Sequence, residues 1–219
     1  MAAEPVSTLF AEVFENAITY CEQHPTVSKE LIRAKGEFFA RTGKLKEDSR
    51  EFENRINAYL LWFLFDRRFR DSFRSPLYYY KNHLEKREKR GEIELLNELV
   101  YHIHSLFEFI RIKNGQSLIK DVVTRKKYAI TDENSLFGFA RGLCFETRLF
   151  SFRGDLCLAN YSIRHPMAVK TEIGKQLKTI KGDRKALKDF LLELHSFHTK
   201  WISYRNIDIK NIYRIRQTT

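Results

Sequence analysis

The stretch "FENRINAYLLWFLFDRRFRD", residues 52 to 71, sets eight apolar residues in a row between a polar half-turn and a run of charge. It can be read as a membrane anchor, a buried core helix or the floor of an active site. The run from 58 to 65 is far short of the ~20 apolar residues that a spanning helix needs. Phe52, Ile56, Tyr59, Leu60 and Phe63 fall at i, i+4, i+7, i+8 and i+11, one face of a helix. Glu53, Asn54 and Asn57 oppose them, but only in the first two turns. A helix that starts amphipathic and becomes apolar all round dives into a core. The spacing therefore predicts a central buried helix over 52–66, with Trp62 and Phe63 as core. Asp66, Arg67 and Arg68 mark its exit to solvent.

Helical spacing extends to both sides. Leu9, Phe10, Val13, Phe14, Ala17 and Ile18 recur with a helix period, and Ser7 fits an N-cap. Pro25 disfavours helix at His24 and so divides this segment from the next, which runs through Leu31, Ile32, Ala34, Phe38 and Phe39. Residues 75 to 105 give two more helices divided near Gly91, the second with a stripe of Ile93, Leu96, Leu99, Val100 and Ile103. The C-terminal third is again helical, with Leu187, Phe190, Leu191, Leu194, Phe197 and Trp201 as the apolar positions of a long segment.

Between them the period changes. "SLFEFIRI", "QSLIKDVV", "KKYAI", "LCFETRLFS" and "DLCLANYSI" read as five short strands. Asn114-Gly115 is a strong hairpin turn because both positions tolerate positive φ, and Arg153-Gly154 supplies another. The expected fold is α+β: helices over 1–104, a small antiparallel barrel-like module over 105–164, and helices over 165–219.

The module resembles one found in a family of poorly characterised bacterial proteins, some of which carry a SEC-C-type zinc motif. The likeness lies in "SLFEFIRIKNGQSLIKDVVTRKKYAITDENS" and "LCFETRLFSFRGDLCLANYSIRHP", preceded by the helix "YLLWFLFDRRF". Gly115, Asp121, Thr124, Tyr128 and Ser135 stand where that pattern has them, and the match covers residues 52 to 165. Arg125 replaces the pattern's turn glycine after Thr124, and the cysteine-rich motif is absent. The resemblance thus implies a fold and a bacterial setting, and carries no chemical site.

Composition bounds the chemistry. The 219 residues carry 39 Lys and Arg against 28 Asp and Glu, a formal charge of +11. Such a field attracts nucleic acid, anionic membrane or an acidic protein, and it also occurs in proteins that are merely basic. The N-terminal stretch has early acids and no basic region before an apolar run, unlike a secretory signal. Cys21, Cys144 and Cys157 form no C-x-x-C, and an odd count argues against a disulfide scaffold. The expectation is a cytoplasmic protein with reduced thiols.

Candidate chemical sites are sparse. His102 and His104 share a face only on a strand, and His195 and His198 share a helix face; each pair has the spacing of two metal ligands but lacks a nearby third. The expectation is no metal, no cofactor and no catalytic residue. P-loop, dinucleotide and nucleophile-elbow motifs do not occur. Cys144 and Cys157 lie in strand patterns among apolar residues, where cysteine behaves as a small hydrophobe. Asp66 and Asp71 are expected to pair with Arg67, Arg70 or Arg74 rather than to act as acid and base.

The basic clusters are more suggestive. Arg67, Arg70 and Arg74 fall at i, i+3, i+7 if the helix continues, with Phe69 and Phe73 between them. Arg125, Lys126 and Lys127 crown a hairpin tip beside Tyr128. Two functions follow: a non-enzymatic binding or adaptor protein docking a protein partner, or a nucleic-acid-binding protein using Arg67, Arg70, Arg74, Arg125, Lys126, Lys127 and Tyr128. An enzyme ranks third.

Overall fold

The computed structural model describes residues 6–131, 136–180, 182–204 and 206–214. Five helices come first: α1 (Val6–Gln23), α2 (Pro25–Thr42), α3 (Phe52–Phe65), α4 (Pro76–Lys86) and α5 (Arg90–Leu99). The break at Pro25 is built as its chemistry requires. His24 is extended and its ring Nδ1 accepts from the backbone N–H groups of Thr26 and Val27, capping α2. In α1, Phe10, Val13, Phe14 and Ala17 face the core.

Helix α3 buries Ala58, Tyr59, Leu61, Phe63 and Leu64, as an all-apolar turn must. Trp62 corrects the expectation: it is only half-buried, leaning on Phe38 with ring centroids 5.5 Å apart. The helix stops at Phe65, so Arg67, Arg70 and Arg74 do not share a helical face. They lie on a loop that folds back through a bond from Phe69 N–H to the carbonyl of Arg74. The break between α4 and α5 falls at Arg87–Lys89, where Glu88 has φ +54°, and Gly91 sits inside α5. Leu95, Leu96 and Leu99 form the buried stripe of α5, whereas Val100 is exposed and Ile103 begins a strand.

The strands are β1 (Ile103–Lys113), β2 (Gln116–Asp121), β3 (Lys127–Ile130), β4 (Cys144–Phe152), β5 (Asp155–Leu158) and β6 (Ile163–His165). They make one antiparallel sheet in the order β3-β2-β1-β4-β5, with β6 also paired to β4, curled into a half-barrel. Asn114 and Gly115 both take positive φ and join the closing pair Lys113 and Gln116; Arg153 and Gly154 do the same for Phe152 and Asp155. Arg125 also sits at φ +67°, the conformation that suits a glycine. Asp121 organises that turn, accepting from Ser105 Oγ, Thr124 Oγ1 and the backbone of Val123 and Thr124. Ser135 lies outside the described residues.

After a 3-10 turn (Met167–Val169) come α6 (Lys170–Thr179), α7 (Arg184–Ser203) and α8 (Ile209–Ile212). Side-chain alternation along β4 explains how the layers meet. Phe145 and Leu149 point into the half-barrel with Phe107, Ile119 and Ile130. On the opposite face, Phe150 and Phe152 join the core of α1 to α5, and Cys144 joins the core of α6 to α8. Between those apolar ends, on the same face, stand Glu146 and Arg148. The seam between the two helical cores is therefore polar.

Candidate functional site

Glu146 is the centre of the interior polar seam, with no exposed surface. One carboxylate oxygen accepts from His104 Nε2 and from the Tyr161 hydroxyl at 2.8 Å; the other accepts from His195 Nε2 at 2.6 Å. Burial alone would raise the Glu146 carboxyl, but His195 and His104 hold it well below the ordinary range. Burial, then the Glu146 charge, push the Tyr161 phenol far up, so it stays a donor.

A second carboxylate adjoins the first. Asp66 pairs with the buried Arg148, with Lys188 Nζ at 2.6 Å, and approaches His104 Nδ1 at 3.9 Å. Burial opposes its charge, yet Arg148, His104 and Lys188 keep it below the carboxylate range. Asp66 is thus no exit to solvent. Its side chain is nearly covered, and its partner comes from β4 rather than from Arg67, Arg70 or Arg74. Arg148 also donates to His102 Nε2 at 2.6 Å. Burial, then Arg148, lower His102 to about 3.

Behind Glu146 lies Arg55 of α3, only 1% exposed. Its guanidinium donates to Thr199 Oγ1 at 2.8 Å and to the His195 carbonyl at 3.1 Å, and meets His198 Nδ1 at 3.3 Å. Burial lowers it to about 10. His165 meets the Tyr213 hydroxyl at 3.1 Å, and burial, then His195, lower His165 to about 3. Both sequence-predicted histidine pairs therefore lie in one buried network, joined by Glu146 from a third element. Among the described residues no set of three or more His, Cys, Asp or Glu side chains is arranged to hold a metal ion. A carboxylate with both oxygens occupied and no exposed surface offers a substrate nothing to touch. Burial also pushes the Cys144 thiol to about 11 and Cys21 to about 12, far from a nucleophile.

The surface separates the predicted basic residues. Arg67 is buried, bound to Glu30 at 2.7 Å and Glu37 at 2.9 and 3.1 Å, so its charge is committed inside the protein. Arg125 and Lys127 are exposed at the β2–β3 turn, with Lys126 over the Tyr128 ring at 5.3 Å. Tyr128 is half-buried against Phe107 in the half-barrel, leaving little ring face to stack on. Arg70 is exposed on the loop after α3.

Arg74 has a different setting. Its guanidinium lies 4.4 Å from the Tyr78 ring centroid, on the wall of a groove of about 290 Å³ between the 68–81 segment and the end of α5. Leu77, Leu96 and Val100 line the groove with carbon, and Phe73 and Tyr78 flank it. Arg68, Arg74 and Lys81 supply its charge, and no acidic side chain lines it. Phe73 holds a left-handed φ of +54° and is 80% exposed. Backbone strain spent on presenting an aromatic ring to water is a recurring mark of binding surfaces. Tyr101, just beyond Val100, is 85% exposed. In the sequence Arg68 marks only the exit of the helix to solvent, not a binding position, and nothing local marks Val100 as exposed.

Comparisons with family models, with curated proteins and with solved structures find no match to the chain. Among the described residues no helix is long and apolar enough to cross a membrane.

Proposed function

We propose that the chain is a non-enzymatic binding or adaptor protein that docks a protein partner on the face formed by residues 68–81 and 96–101. The observation that carries this reading is the groove itself: a carbon-lined floor, exposed rings and the cations Arg68, Arg74 and Lys81 on one surface, with no acid among the lining residues. Large exposed aromatics beside arginine are the residue types that dominate binding energy at protein interfaces. The interior titratable groups, by contrast, are partnered with one another and closed to substrates. The bacterial cytoplasm, which the resemblance of residues 52 to 165 and the reduced cysteines suggest, is the setting in which the partner should be sought.

Site-specific photocrosslinking tests the proposal. A benzophenone amino acid replacing Phe73 in the living host should yield a discrete protein adduct. The same probe at Ile32, which is exposed on α2 and remote in sequence from the groove, should not. Adducts that vanish with nuclease would favour the nucleic-acid reading, and equal adducts from both positions would contradict a defined docking face.

A further inference from the structure

Resting on the docking reading above, we infer that the partner presents an acidic segment in which carboxylates flank a large apolar side chain. Charge complementarity selects the carboxylates. Arg68, Arg74 and Lys81 line one groove without an acid among the lining residues, within a chain of net charge +11. Arg74 lies over the Tyr78 ring at 4.4 Å, and its guanidinium retains N–H groups that can take a carboxylate through two parallel bonds.

The floor selects the apolar part. Leu77 and Leu96 are buried beneath the groove, and Val100 and Phe73 border it with carbon. A volume of about 290 Å³ lies at the small end of ligand pockets, room for one large side chain and its neighbours rather than for a whole ligand. Single-stranded nucleic acid is served less well. It needs a track of cations with ring faces for successive bases, whereas this floor is aliphatic and the Arg125–Lys127 turn is not part of the groove.

The test is fluorescence anisotropy with three labelled probes: a twelve-residue peptide of Glu, Phe and Ser, its Gln-for-Glu counterpart, and twelve-nucleotide oligouridine. The variants are Phe73→Gly and Arg74→Glu. Phe73→Gly removes the ring at a position whose positive φ suits glycine, so the fold should survive it, with melting as the check. The Glu peptide should bind at least tenfold more tightly than the Gln peptide and than oligouridine, and each variant should weaken it at least tenfold. Absent binding of the Glu peptide, equal binding of the Gln peptide, tighter oligouridine binding, or variants that bind like wild type would each overturn the inference. If Phe73 still crosslinks to a discrete protein while the Glu peptide shows no preference, the acidic partner alone is wrong and the docking face stands.

Discussion

Asp66 ends α3 beside Arg148, Lys188 and His104, and its neighbour four residues back, Trp62, reaches only the edge of the core. The two residues exchange the importance that their local sequence suggests. Removing the Asp66 carboxylate leaves Arg148 buried without its countercharge, a loss that typically costs ~3–5 kcal/mol. Trp62→Ala removes a half-buried ring and should cost about 2 kcal/mol, less than the usual figure for a fully buried aromatic. Urea denaturation of both variants checks the order, and a Trp62→Ala protein less stable than Asp66→Ala would refute it. Asp66 was misread because "DRR" looks like an exit to water, while the residue that pairs with it lies 82 positions along the chain.

At the scale of elements, what the sequence made legible was local chemistry. Two turns with positive φ at Asn114-Gly115 and Arg153-Gly154, a proline opening α2 and a change of period near Ser105 each act within a few residues. The hairpins and the α+β plan were readable for that reason. Val100 failed because a helical stripe says which face is apolar but not where the neighbouring layer ends. The network that joins the histidine pairs was unreadable for a different reason. His104 lies at the start of β1 and His195 on α7, but the acid that joins them, Glu146, comes from β4, which only the fold brings to both. The groove was legible only in part: Arg74 and Phe73 belong to the cluster that the sequence singled out, but Lys81 and Tyr78 join them only through α4, and the loop buries Arg67 and exposes Arg68 where a continued helix would have aligned Arg67 with Arg74.

The molecule as a whole holds its two helical cores together across a polar seam, and that makes its stability depend on pH. His165, His195 and His198 are buried, and burial lowers all three from the ordinary histidine value near 6.5, His165 to about 3. In the folded protein they stay neutral where the unfolded chain already takes up protons. Their contribution is therefore complete above pH ~6.5 and is lost as pH falls toward the folded values. Glu146, held low, adds a further loss below its ordinary range. His165, lowered to about 3, removes about 1.4 kcal/mol per unit below pH ~6.5, and His195 and His198 act in the same direction, so a domain of ~5–15 kcal/mol should lose stability as pH falls below ~6 and unfold in a cooperative acid transition. Circular dichroism against pH should show that transition, and a urea midpoint unchanged from pH 7.5 to 5 would contradict it.

The central claim is a division of labour: the interior seam holds the fold, and the outer face of 68–81 and 96–101 binds. Hydrogen–deuterium exchange of the whole chain, with and without the Glu-Phe-Ser peptide at saturation, tests it most directly. The account predicts slowed exchange in residues 68–78 and 96–101, with β4 around Glu146 and α7 around His195 unchanged. Protection centred on 144–148 and 195–199, or on the 125–128 turn, with none at Phe73, would contradict it.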